Sequence, residues 1–416
     1  MRSAPVVLCS VVASIWPAIW PAIAFAAPAS HPVEVIGGSD AAAGAWPDVA
    51  AILFQLEDPP GSGIFVDEAL CTGTLIAPTV VITAGHCYAA DDPPLPDNVL
   101  IGTASLARPQ DGETLHVRTG IVYPNAETSE DVAVLILDQA SKATPRTLAT
   151  GWPSTDIVDG AKIELVGFGA IDQTGKKFVD ELQQASTTIT DADCSSSSGC
   201  NADARPAGEL GAGGDGIDTC PGDSGGPLYL TTSYGTYLAG VTSRSYDNAK
   251  VSCSGGGIYE RPDKFADWIE QVTGVSVLRG PSPSADPLTA APGASGDTMI
   301  VDNDPGSDDH HYEVTTQPAH GRAAVRGDGL LRVCPDAKAA AGADQVTVRV
   351  IDSKNSHRAL LLTVPITVAA DPAAMPGCDF SGFGDSGGCC DAGGRSGGSI
   401  PLALGVLALV ARRRRR

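Results

Sequence analysis

DTCPGDSGGPLYL, residues 218–230, sets a turn of Gly, Asp, Ser and Pro directly ahead of a short apolar run. All four residue types are turn formers, so the string alone reads as a surface loop. Its setting argues for a nucleophile loop instead. Cys220 precedes it and a strand-like run follows it. The glycines let backbone come close to a substrate, so that the N–H groups of Gly222 and Ser224 can converge on an oxyanion forming beside the Ser224 hydroxyl.

A serine nucleophile needs a base, and the base needs an orienting acid. Upstream, LCTGTLIAPTVVITAGHCY (70–88) places His86 just after an apolar strand and beside Cys87, and SEDVAVLILD (129–138) opens a buried strand with Asp131. Taken singly, a histidine is most often structural and an acid at a strand edge is most often a turn residue. Asp138 is the rival acid, but it lies beyond the apolar run. Asp131 is preferred.

Together, in the order His, Asp, Ser, these strings resemble the chymotrypsin/trypsin family of serine proteases. TAGHC is similar to the family's TAAHC motif, with Gly85 in place of the commoner Ala, and DVAVL to its D-I-A-L-L motif. Subtilisins and α/β-hydrolases use other chain orders. The resemblance covers residues 35–274 and implies an all-β chymotrypsin-like double β-barrel with a C-terminal helix. It implies a serine endopeptidase acting through an acyl-enzyme, with His86, Asp131 and Ser224 catalytic and Gly222 and Ser224 forming the oxyanion hole.

The same resemblance assigns further residues. Asp218, six positions before the nucleophile, would form the base of the specificity pocket and select Arg or Lys. Ser243 and Ser245 would lie along the substrate-pairing strand, with Gly257 on the facing wall. Arg244 stands where the family usually has an aromatic, and Ser245 where Gly is common. Disulfides Cys71–Cys87 and Cys220–Cys253 are implied. VIGG (35–38) resembles the IVGG start of mature members, so an ammonium freed at Val35 would pair with Asp223 and order the oxyanion hole. The residue before that cut is Glu34, so a trypsin-like precursor would not activate itself and a different protease is expected to do so. Two alternatives stay open: the same protease with non-tryptic preference, and an inactive binding or adhesion protein on this fold. The intact triad weighs against the second.

With 416 residues, 43% of them hydrophobic, the chain has material for two or three cored domains. Residues 1–26 combine one Arg, an apolar run and a terminal Ala24-Phe25-Ala26, which reads as a signal peptide. Pro17 and Pro21 interrupt the run and argue against a membrane anchor. Residues 27–34 would be a short propeptide. In an exported chain, eleven cysteines without zinc-ligand spacing read as disulfide formers. Cys194 with Cys200 spans a Ser-rich turn, and Cys334 with Cys378 is a further candidate pair. No cofactor motif or EF-hand spacing is present. A net charge of −22 disfavours nucleic acid as a partner and leaves protein or peptide substrates.

Short β-branched runs broken by Gly, Pro and Asp fill residues 35–276 and suggest a β domain. They close on RPDKFADWIEQVTG (261–274), where Phe265, Trp268, Ile269 and Val272 fall at helical spacing before Gly274. Residues 277–296, rich in Pro, Ser, Ala and Gly, read as a linker. Residues 297–370 alternate strands with Gly-Asp-Gly turns and resemble a small cadherin-like or immunoglobulin-like β-sandwich. The tail, 371–416, joins a Gly/Ser/Cys stretch, the run Ile400 to Ala411, too short to span a bilayer, and an Arg cluster. It resembles the tripartite sorting signals of Gram-negative bacteria, especially the myxobacterial type. That implies a sorting enzyme, cleavage near Cys389 or Cys390, and a secreted or cell-surface product. The alternative is a weak transmembrane tail held by positive charge.

Overall fold

The computed structural model describes residues 36–89, 95–124, 130–204, 208–251, 253–370 and 375–383. The expectations for the signal peptide, the propeptide, Val35 and the sorting tail with Cys389 and Cys390 lie outside the described residues.

The N-terminal strands are β1 (Ser39–Asp40), β2 (Val49–Glu57), β3 (Phe65–Ala77), β4 (Val80–Thr83), β5 (Asn98–Ile101), β6 (Glu113–Val122) and β7 (Ala133–Leu137). Six of them close an antiparallel barrel in the order β2-β3-β4-β7-β6-β5. Strands β8 (Lys162–Gly167), β9 (Gln183–Asp191), β10 (Glu209–Ala212), β11 (Pro227–Thr232), β12 (Gly235–Ser245) and β13 (Gly257–Glu260) form a second ring, closed by the β8–β9 pairing, with β1 added on β9. This is the expected double barrel.

Strand periodicity explains the near-continuous apolar runs. Side chains alternate sides along a strand, so β2 sends Ala50, Ile52 and Phe54 into its own barrel and Val49, Ala51 and Leu53 into the core shared between the barrels. Both faces are buried, so neither can be polar. The shared core also takes Ile82, Val134, Val166 and Tyr229.

Three helical segments of four residues or more, α1 (His86–Ala89), α2 (Trp152–Thr155) and α3 (Pro262–Thr273), complete the first two-thirds of the described chain. Helix α3 buries Phe265 and Ile269 on the shared core, as its spacing requires. It stops at Gly274, whose φ of 69° suits a residue without a Cβ and whose N–H bonds the Glu270 carbonyl.

The C-terminal module has strands β14 (Leu288–Ala290), β15 (Gly296–Met299), β16 (His310–Thr316), β17 (Gly321–Val325), β18 (Leu330–Pro335), β19 (Gly342–Asp352) and β20 (Ala359–Val368). They form two sheets, β14-β20-β19-β16 and β15-β18-β17, around Ile300, Val325, Leu331, Val348 and Val364. Residues 277–296, linker-like in composition, contain β14, which pairs parallel to β20 with Leu288 opposite Ile366. Three residues are too few to show a periodic face.

Trp152 of α2 is fully buried in the module's core, and its Nε1–H donates to the Asp302 carbonyl at 2.6 Å. Beside it, Arg358 of the module reaches Asp156 at 2.9 Å and Asp304 at 2.7 Å. Gly151 precedes the tryptophan with φ +60°, and a Cβ there would lie 2.1 Å from the Pro281 carbonyl oxygen. Cys334 and Cys378 are thiols, so the pairing expected between them is not formed here. Cys71–Cys87, Cys194–Cys200 and Cys220–Cys253 are disulfides.

Candidate active site

His86 opens α1 immediately after β4, and Cys87 ties this corner to β3 through Cys71. Its Nδ1 lies 2.8 Å from Asp131 Oδ2, and its backbone N–H donates to Asp131 Oδ1 at 2.8 Å. Ser243 Oγ donates to Asp131 Oδ2 at 2.7 Å. A carboxylate facing Nδ1 places the imidazole proton there and directs Nε2 to accept.

Burial works against both charges, yet the mutual contact wins. Burial alone would lower the His86 pKa, but the hydrogen bond and charge of Asp131 raise it above the ordinary value. Burial alone would raise Asp131, but the bonds from His86 and Ser243 hold it below the usual carboxylate range. The rival Asp138 pairs with His116 Nδ1 at 2.7 Å, away from His86.

Ser224 sits half-buried on the turn before β11. Its carbonyl accepts the Thr72 N–H at 2.9 Å, and Cys87 Sγ lies 3.7 Å from the same oxygen. Gly225 has φ +79°, and a Cβ there would come within 2.0 Å of Thr83 Oγ1 and 2.4 Å of the Thr72 carbonyl oxygen. The serine turn can therefore press against the strands that present His86 only because residue 225 lacks a side chain.

Next to it, Asp223 is fully buried and accepts the N–H groups of Cys220 and Gly169, each at 2.8 Å. Burial pushes its pKa up to about 7, with the charge of Asp218 adding to the effect. A Cβ on Gly167 would lie 2.1 Å from Asp223 Oδ1, and one on Gly169 2.4 Å from its Cγ. These two glycines make room for the carboxylate. Ile36 packs against Ala170, Cys220 and Cys253 at the start of the described chain.

Asp218 is buried as well, and accepts N–H groups from Thr219 at 2.8 Å, Ser254 at 2.8 Å and Gly256 at 3.0 Å. Burial raises its pKa to about 6. Gly257 and Ser245 face each other across β13 and β12, and a Cβ on Gly257 would stand 3.5 Å from Asp218 Oδ1. Three of the four residues assigned to substrate binding, Asp218, Ser245 and Gly257, thus share one region. Ser243 lies on β12 and directs its hydroxyl to Asp131.

Among the described residues, two groups bring metal-ligand residue types together, Cys71 with His86 and Cys87, and Cys194 with Cys200 and Glu209. Both groups' sulfurs are in disulfides, so no thiolate is offered.

A family model described as Trypsin matches residues 35–269. The chain belongs to the trypsin family. Over 250 residues it is 30% identical to brachyurin of Leptuca pugilator, covering 58% of this chain and all of that protein. It is 28% identical over 254 residues to venom serine protease Bi-VSP of Bombus ignitus, covering 57% of this chain and 68% of that one. A third relative, serine protease 56 of Mus musculus, is 30% identical over 286 residues, with 62% and 44% covered. This trypsin-family chain is a serine-type endopeptidase. No helix among the described residues is long and apolar enough to cross a membrane.

Three side chains around the trypsin-family site, Glu209, Arg244 and Glu260, carry no local signal of a role there, although Arg244 stands out as a departure from the family pattern. Glu260 Oε1 accepts the backbone N–H of Asp131 at 3.0 Å. Arg244 donates to Glu209 at 2.8 Å and, from its other terminal nitrogen, to Ser243 Oγ at 3.3 Å. Glu260 is 129 residues from Asp131, so no local string could signal the contact.

Proposed function

We propose that this endopeptidase is an exported zymogen that uses Ser224, His86 and Asp131 to cut proteins or peptides after Arg or Lys. The observation that carries the catalytic reading is the His86 imidazole bonded to the Asp131 carboxylate, with Ser243 completing the carboxylate's bonding and the neighbouring Cys87 Sγ 3.7 Å from the Ser224 carbonyl oxygen. His86 takes the proton from Ser224 as Oγ attacks the peptide carbonyl, and the N–H groups of Gly222 and Ser224 receive the oxyanion. His86 then protonates the leaving amine, and water hydrolyses the acyl-enzyme by the same route.

Two buried carboxylates support the finer reading. Asp218 is met by backbone donors rather than by a cation, so an entering Arg or Lys would bring the missing counter-charge. Asp223 lies next to Gly169, and Ile36 packs on the adjoining Ala170, which suits an ammonium at Val35 reaching Asp223. Such a buried pair, once formed, costs about 3–5 kcal/mol to break, enough to hold an uncut chain inactive. Cleavage after Glu34 by another protease would release it. The tail would then be processed by a sorting enzyme near Cys389 or Cys390, giving a secreted or surface-bound product.

The test is a peptide panel with Arg, Lys, Phe, Ala or Glu before the scissile bond, assayed on the chain beginning at Val35 and on the uncut precursor. Cleavage after Arg and Lys by the trimmed chain alone is expected. Preference for Phe or Glu would overturn the role of Asp218, and full activity of the precursor would overturn the zymogen.

A further inference from the structure

Behind the Asp131 carboxylate lies a second pair of acids. Glu209 on β10 and Glu260 on β13 are direct cross-strand partners, and both are buried. Glu260 uses Oε1 on the Asp131 N–H. Glu209 uses Oε2 on Arg244 Nη2, at 2.8 Å, and on the Asn201 N–H, at 2.9 Å. The remaining oxygens, Glu209 Oε1 and Glu260 Oε2, are buried and have no hydrogen-bond partner among the described residues. Leaving two such acceptors empty is costly, and one proton between them would satisfy both.

We propose that Glu209 and Glu260 share a single proton and together act as a positioning unit for the triad. The unit holds the Asp131 backbone through Glu260 and the Asp131 carboxylate through Arg244 and Ser243. The shared proton between these cross-strand partners closes a circuit whose other links are Asp131 to Glu260, Glu209 to Arg244, Arg244 to Ser243, and Ser243 back to Asp131. Arg244 balances the one negative charge left on the acid pair.

The charged groups acting on Glu260 are Glu209 from β10, Arg244 from β12 and Asp131 from the segment before β7, with His86 beyond Asp131. Burial and the Glu209 charge push the Glu260 pKa up to about 9. At neutral pH the shared proton is therefore in place. On the alkaline side it leaves to solvent, and a second negative charge then stands behind Asp131.

This inference rests on Asp131 being the triad carboxylate, so the experiment includes Asp131→Asn. On the chain beginning at Val35, Glu260→Leu is expected to lower kcat roughly 10- to 100-fold with KM little changed, as misplacement of a catalytic group does. Glu260→Gln restores most of the activity, because its amide accepts from Asp131 and donates permanently to Glu209. Its kcat relative to the parent chain rises between pH 7 and pH 10, since Gln has no proton to lose. Alkaline loss of the Val35 ammonium affects both chains alike and cancels in that ratio. A flat ratio, or a Glu260→Leu chain with parental kcat, overturns the shared proton while an impaired Asp131→Asn leaves the triad standing. An Asp131→Asn chain with parental activity overturns both. If Glu260→Leu fails to fold, the Glu260→Gln ratio decides alone.

Discussion

The cleft between the two barrels and the contact between protease and module are both interfaces between folded units, and they use polar groups in opposite ways. At the active site, where the barrels share a buried apolar core of Ile82, Val134, Val166 and Tyr229, His86 is half-exposed and Ser224 half-buried. At the module, Trp152 is fully enclosed and Arg358 is spent on Asp156 and Asp304. The first arrangement leaves side chains able to meet a substrate. The second commits them to one another, so it can stabilise but not react.

That contrast predicts a clean separation of effects. Ser224→Ala should lower kcat/KM by about 10⁴-fold or more while leaving the urea midpoint unchanged. Trp152→Ala should do the reverse, costing about 3–5 kcal/mol in urea unfolding with unchanged kcat per folded molecule. A Trp152→Ala chain of parental stability would mean that the indole does not seat the module. Arg358→Met leaves Asp156 and Asp304 without their cation, and a loss of about 1–3 kcal/mol is expected in the same assay.

The smallest effect tests which interface titrates. Asp223 has a folded pKa of about 7, above its ordinary value of 3.8, so the folded uncut chain binds a proton that the unfolded chain has released. Its stabilising contribution is therefore full below pH 4 and is lost as pH rises through 7. In an uncut Ser224→Ala background, Asp223 should contribute a fall in stability of on the order of 1 kcal/mol per pH unit between pH 5 and 7. Adding Asp223→Asn should remove that share of the slope and leave the shares of Asp218 and Glu260, whose pKa values are also raised, whereas Arg358→Met should leave all three in place.

The cleft was legible in the sequence and the module contact was not, for a physical reason. Ser224, His86 and Asp131 each sit in a short string whose neighbours support the same chemistry, with glycines for close approach, a cysteine to brace and a buried strand to anchor. The double barrel followed from the family resemblance those strings carry, whereas the apolar runs by themselves indicated only a β domain. Trp152 carries no such signature, because its burial comes from strands far along the chain. The same holds for Glu209, Glu260 and the bond from Ser243 to Asp131, which joins residues 112 apart. Gly167 and Gly169 stood in a strand-like string, and only Asp223 pressed against them gives them meaning.

The seat of Trp152 also sets an order of events during synthesis. Asp156, beside it, is separated by 202 residues from Arg358, its partner in the module. At ordinary elongation rates the protease half waits roughly 10–40 s for that arginine to be made. Until then the indole has nothing to enclose it. A chain that stops before the module's strands are made lacks the core that encloses the indole, so the burial of Trp152 depends on residues made long after it.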